Sequence, residues 1–195
     1  MSSAKNSGNP VLGAVILAVV AFAWWQWPQT NRSESKPPKT FAEFVANEGL
    51  GEVTPVVSND GSHSLVISFD ADGSAEALDH SQRVLRDAKR AGVTIGNSHT
   101  VRFIARAILI DRLGHKSIEP ALSYDLDGDD VRIANFENLG TPGLMRLVKN
   151  VSVIHPAIAK NIAKMCGEAS SAYKSDFCVL AANSIGKQGW YGALE

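Results

Sequence analysis

Cys166 and Cys178 are the only cysteines in the chain, and they fall on two consecutive predicted helices joined by a short loop. In an oxidising compartment such a pair can close a disulfide, worth about 3 kcal/mol for a loop of that size. Two reduced thiols packed in the core are the other reading, because a free cysteine behaves as a small hydrophobe. The spacing is not Cys-x-x-Cys, which excludes the usual redox motif. His155 is near Cys166 in sequence, but nothing in the sequence brings it near in space, so a nucleophilic cysteine is not expected.

The acidic turn Asp125-Leu126-Asp127-Gly128-Asp129-Asp130 is the next candidate. A helix–loop–helix calcium site needs glycine at its sixth position and glutamate at its twelfth. Counted from Asp125, Gly128 is fourth and Phe136 is twelfth. Asp-Gly here reads as hairpin chemistry instead. Asp70-Ala71-Asp72-Gly73 fails in the same way, with Ala75 at the sixth position, and its aspartates read as helix caps. The histidines, His63, His80, His99, His115 and His155, form no His-x-x-x-His or His-Glu-x-x-His pair. Neither a nucleophile elbow, nor a P-loop, nor a dinucleotide fingerprint is present. Asn31-Arg32-Ser33 and Asn150-Val151-Ser152 match the glycosylation sequon, a pattern common by chance. The sequence therefore assigns no catalytic residue, no cofactor and no metal site.

The elements that would carry these residues read as follows. Thr40 and Glu43 form a capping box for a short helix over 41–48. Val53, Val56 and Val57, the cluster Ser58-Asn59-Asp60-Gly61, then Ser64 to Phe69 predict a hairpin. A helix follows over Ala75 to Arg90, with Leu78, Val84, Leu85, Ala88 and Ala91 on one stripe and Gly92 past its end. Thr100 to Asp111 fits either period. As a strand it sets Val101, Phe103, Ala105, Ala107 and Leu109 against Arg102, Ile104, Arg106, Ile108 and Ile110. As a helix, Val101, Ile104, Ala105, Ile108 and Leu109 share a stripe; its β-branched and aromatic content favours the strand. Ala121 to Leu126 and Val131 to Asn135, around Asp127-Gly128, predict a second hairpin. Helices are then expected from Thr141-Pro142, with Leu144, Leu147, Val148 and Val151 at helical spacing, from His155-Pro156 to Cys166 with Gly167 as a stop, and over Asp176 to Ile185. Trp190 and Tyr191 are expected to tuck against the domain.

Ahead of all this stands an apolar run, Val11 to Trp27, with no Asp, Glu, Lys or Arg between Lys5 and Arg32. A helix over it rises ~26 Å, slightly under the ~30 Å hydrocarbon core. Trp24, Trp25 and Trp27 suit a headgroup boundary, and Pro28 ends the helix. Ala21-Phe22-Ala23 also has the form of a cleavage site, so a signal peptide is the rival reading. The expected organisation is a polar tail over 1–10, a transmembrane anchor over 11–27 and a linker over 28–40. One α+β domain follows over 41–195, strand-rich to 140 and helical beyond. An antiparallel sheet of hairpins with one helix, followed by C-terminal helices, is the expected fold. The domain is expected outside the cytoplasm, as in a periplasm.

The chain has 195 residues and a net charge of −1, so nothing pulls it globally toward nucleic acid. Ser74 to Lys116 is net basic and Ser117 to Gly140 net acidic, patches that either recruit a partner or face each other. An anchor, a linker and one domain with no reactive constellation point to a non-catalytic, protein-binding or scaffold subunit of an envelope assembly. Its partners would be lipid, through the anchor, and other envelope proteins. An envelope hydrolase with residues spread across loops, testable by alanine at His99, Asp111, His115 and His155, or a ligand-binding domain, are the alternatives.

Overall fold

The computed structural model describes residues 40–110, 112–168 and 176–190. The chain enters through helix α1 (Phe41–Asn47), which buries Phe41, Phe44 and Val45. Its capping box forms as read: the Glu43 amide donates to Thr40 Oγ1 at 3.1 Å, and the Thr40 amide donates back to the Glu43 carboxylate at 3.2 Å. Strands β1 (Glu52–Val57) and β2 (His63–Asp70) pair antiparallel, with Val53 opposite Ile67. In their turn Gly61 has φ +80°, a conformation that a side chain resists. Helix α2 (Ser74–Arg90) buries Ala77, Leu78, Val84, Leu85 and Ala88 on one stripe.

Strands β3 (Thr100–Ile110) and β4 (Lys116–Asp127) follow, then helices α3 (Gly128–Ile133) and α4 (Phe136–Leu147). Strand β5 (Val148–Val153) and helices α5 (Pro156–Glu168) and α6 (Asp176–Lys187) complete the described chain. The sheet has the order β1-β2-β3-β4-β5. Thr100 to Ile110 is thus a strand.

The α+β class stands, but the sheet is mixed rather than antiparallel: β2 and β3 run parallel. The cause is α2, which carries the chain back along the sheet before β3 begins; a crossover of that kind returns a strand in the same direction. The hairpin expected around Asp127-Gly128 is a second correction. Asp127 instead caps α3, its carboxylate accepting from the amides of Asp129 at 2.8 Å and Asp130 at 3.3 Å. Gly128 permits a close backbone approach, since a Cβ there would stand 2.0 Å from the Ser98 carbonyl oxygen. A third correction concerns Val148 and Val151, which lie on β5 and pair with Leu126 and Tyr124 of β4. The part beyond residue 140 is therefore not purely helical. The helix expected from Thr141-Pro142 is the second half of α4, restarting past Gly140 at φ +59°, and Gly167 lies within α5 rather than ending it.

Helices cover one face of the sheet. Ile67, Phe103, Leu122, Tyr124 and Leu126 point into that core, against Leu78, Phe177 and Ile185 from the helices. Residues that alternate with them, such as Ser68, Arg102 and Ser123, turn to the opposite face. Tyr124 stacks on Phe103 with ring centroids 5.6 Å apart and meets Phe177 edge-on at 6.0 Å. Trp190 packs against the core and donates its amide to the Ile185 carbonyl at 3.2 Å. No described helix is long and apolar enough to cross a membrane. The Val11 to Trp27 run, with Trp24, Trp25 and Trp27, lies outside the described residues, as does Tyr191.

Candidate interaction surface

The two middle strands outrun their neighbours. β2 ends at Asp70, opposite Arg106, and the last bond on that side is Ala71 N–H to Arg106 O at 2.9 Å. On the other side β5 reaches only Leu122, with the amides of Ile154 and His155 closing onto Ala121 O. Beyond these points Ala107 pairs with Glu119, Ile108 with Ile118, Leu109 with Ser117 and Ile110 with Lys116. Four pairs at about 3.3 Å per residue form a two-stranded arm of ~13 Å.

The arm exposes more apolar surface than the mixed face it extends. Ile108 is 51% exposed, Ile110 63%, Ile118 55% and Leu113, in the turn, 82%. Ile108 and Ile110 share the outward face with Arg102, Ile104 and Arg106, and Ile118 stands opposite Ile108. Ala107 and Leu109 seat the inner face of the arm on the core, which leaves the outward isoleucines as an exposed apolar patch. Exposed Arg112 and Lys116 frame the tip, and exposed Glu52, Asp70, Asp72 and Glu76 surround the root.

Open strand edges are hazards that sequences guard, and three edges here carry guards. β1 contains Pro55, which lacks a donor. The overhang of β4 starts its return into the sheet at Pro120. The β5 edge is closed by α6, whose Ser184 Oγ accepts from Val153 N–H at 2.9 Å. Among the described residues the overhang of β3 has no such device. Arg106 turns its carbonyl toward β2, so by alternation Ile108 and Ile110 turn their backbone groups to that same, now uncovered, side.

At the far end of α2 lies a hollow of about 280 Å³, lined by Phe41, Leu85, Val93, Ile95, Val131 and Phe136. Its cations are held by internal partners. Lys89 Nζ donates to the carbonyls of Arg132 and Ala134 at the end of α3, where a positive charge suits the helix dipole. Arg132 donates to the carbonyls of Gly96 and Ser98 at 3.0 Å each and pairs with Asp129. The hollow is also at the small end of the ~300–1,000 Å³ range for ligand sites.

The basic and acidic segments of the sequence meet inside the fold. Arg102 grips Asp125 through two bonds of 2.7 and 2.9 Å, and Asn150 adds a third at 3.3 Å. Arg90 pairs with Glu137 and holds its carboxyl below the ordinary glutamate value, while Asp130 raises the Lys149 ammonium.

Cys166 and Cys178 are joined by a disulfide, Cα atoms 5.7 Å apart, which ties α5 to α6. His80 Nε2 lies 2.7 Å from the Leu50 carbonyl and its ring stacks on Phe69. His155 Nδ1 accepts from Ala157 N–H at 3.2 Å, and His99 is tied to His63 through the backbone at 2.7 Å. Asp111 lies outside the described residues. Among the described residues no three His, Cys, Asp or Glu side chains are grouped to hold a metal, and every buried side-chain nitrogen or oxygen has a partner. The sequence by itself does not reveal the arm. Its signal is the change along β3, where Arg102 and Arg106 give way to Ile108 and Ile110 on the outward face.

Comparison with protein-family models, with curated proteins and with solved structures returned no match.

Proposed function

We propose that this chain is a membrane-tethered, non-catalytic interaction domain of a cell-envelope assembly, such as a secretion or transport machine. It docks a partner protein through the β3–β4 arm. The observation that carries this reading is the cluster of exposed Ile108, Ile110, Leu113 and Ile118 on an overhang whose inner face, Ala107 and Leu109, is seated on the core. The apolar run Val11 to Trp27 supports the tether, and the Cys166–Cys178 bond suits a domain outside the cytoplasm.

The test pairs Ile108→Lys with Ile118→Lys in the full chain, and sizes the protein after gentle solubilisation of membranes. Both sites are exposed, so the domain stays folded by circular dichroism. The wild type is expected in a larger assembly and the variant at the size of the lone chain. A wild type that emerges as a lone monomer refutes the docking role. Membrane-impermeant maleimide on intact cells tests the side: labelling only after reduction is expected. Thiols that react without reductant or denaturant after lysis, but not in intact cells, place the domain in the cytoplasm and overturn the localisation.

A further inference from the structure

Resting on that reading of the arm, we infer that its partner is a second copy of this chain, joined antiparallel along the open edge of β3. The edge is complementary to itself. Ile108 and Ile110 both turn their backbone N–H and C=O to the uncovered side, with Leu109 between them facing β4. A twofold axis through Leu109 sets Ile108 against the second copy's Ile110, and Ile110 against its Ile108. Each such pair exchanges two backbone hydrogen bonds, so the join closes on itself, as an isologous contact must.

The lane has the right length and the right ends. It opens where β2 stops at Asp70, and the arm of the second copy fills it up to that stop. There its tip meets the root of the first copy. The tip carries Arg112 and Lys116, with Asp111 beside them in sequence; the root carries Glu52, Asp70, Asp72 and Glu76, of which Glu52 and Asp70 pair with Arg106. Basic tip meets acidic root twice, once on each side of the axis. Isoleucines of both arms then share one continuous outward face and cover each other. The other edges do not offer this, because Pro55, Pro120 and Ser184 guard them.

An apolar tip framed by two basic residues could also meet a bilayer. Two features favour the second copy. Asp111 and Glu119 bracket the tip in sequence, and a bilayer would leave the backbone of Ile108 and Ile110 unpaired, at a cost that hydrocarbon does not return. The join is small against the ~1,200 Å² of a stable interface, so it depends on the high local concentration of chains held in one membrane.

The experiment is oxidative cross-linking of the full chain in its membrane. Leu109→Cys places a thiol on the axis, where facing Cα atoms of a non-hydrogen-bonded pair stand ~4.5 Å apart, within disulfide reach. A covalent dimer is expected from Leu109→Cys and none from Thr54→Cys on the β1 edge. Adding Ile110→Pro, which removes a donor from the open edge alone, abolishes the dimer. Arg112→Glu with Lys116→Glu weakens it several-fold, and Glu52→Lys with Asp72→Lys in the same chain restores it. Absence of the Leu109→Cys dimer, or equal dimer from Thr54→Cys, overturns the inference. So does quenching of a fluorophore on Leu113→Cys by spin-labelled lipid, which would put the tip in the bilayer. If the dimer is absent while Ile108→Lys with Ile118→Lys still breaks up a larger assembly, the docking role stands and only the second copy falls.

Discussion

Removing the hydroxyl of Tyr124 tests the polar centre of the core. Tyr124 is 1% exposed on β4, and its hydroxyl donates to the Ala77 carbonyl at 2.9 Å. With that proton committed, the Ser81 hydroxyl, 2.6 Å away and fully buried, donates to the tyrosine oxygen. Tyr124→Phe strands the Ser81 proton, a loss of ~1–3 kcal/mol for a buried donor. Ser81 lies four residues past Ala77 on α2, so its hydroxyl can turn back onto that carbonyl; this brings the loss to ~1–2 kcal/mol. Ser81→Ala leaves the tyrosine donor satisfied and costs ~1 kcal/mol. In the double variant no hydroxyl is stranded, so its loss falls short of the sum of the singles by ~1 kcal/mol. Urea unfolding by circular dichroism measures all four corners of the cycle. pH adds a second readout. Burial pushes the Tyr124 phenol well above its ordinary value of 10.0. Its contribution is fully present below that ordinary value and is lost as pH rises above it, because the unfolded tyrosine ionises first. Tyr124→Phe therefore flattens the alkaline limb of the stability curve. Strictly additive singles, or an alkaline limb unchanged in the phenylalanine variant, would refute the assignment of the network.

Three further predictions follow from local geometry. Replacing Cys166 and Cys178 by serine lowers stability by about 3 kcal/mol, as a 12-residue separation requires in the chain-entropy account; a urea midpoint equal to that of the oxidised wild type would show that the bond does not staple the domain. Gly128→Ala forces a methyl group against the Ser98 carbonyl and costs ~1–3 kcal/mol, whereas at Gly73 the nearest atom, Asn161 Nδ2, is 3.8 Å away and alanine is close to neutral by thermal melting. Glu137→Gln affects the acid limb: Arg90 holds the Glu137 carboxyl below its ordinary 4.5, so its contribution is present above that value and lost as pH falls beneath it. The glutamine variant should titrate less steeply there, and an identical acid transition would argue that the pair is without effect.

The strand, turn and helix from Glu52 to Arg90 were legible because alternation, Asp-Gly and a single apolar stripe agree over that stretch. The parallel pairing of β2 with β3 runs against the antiparallel expectation: it follows from the order strand, helix, strand, but the Asp-Gly turns on either side carry the stronger local signal. Asp127 shows why local chemistry misleads: the same carboxylate that suits a hairpin turn also caps a helix. Val148 and Val151 fit a helical stripe with Leu144 and Leu147; only Val151-Ser152-Val153 alternates as a strand, because a bulge opposite Asp125 and Leu126 breaks the period before it. The arm was harder still. Strand alternation puts its residues on their faces, but nothing local says that β2 stops at Asp70 or that β5 reaches only Leu122. An overhang is a property of neighbours, and it becomes visible only when the sheet is assembled.

The placement of Ser184 has a consequence for how this chain fails. α6 is both the cover of the β5 edge and one end of the Cys166–Cys178 bond. Phe177, Ala181 and Ile185 also seat α6 in the core, so cutting the bond leaves the helix docked but lets it open more readily. Each opening bares the Val153 amide and adds a second open strand edge, on the opposite side of the sheet from the arm. One open edge closes a pair of molecules and stops. Two open edges on opposite sides have no closing symmetry, and they propagate into a filament.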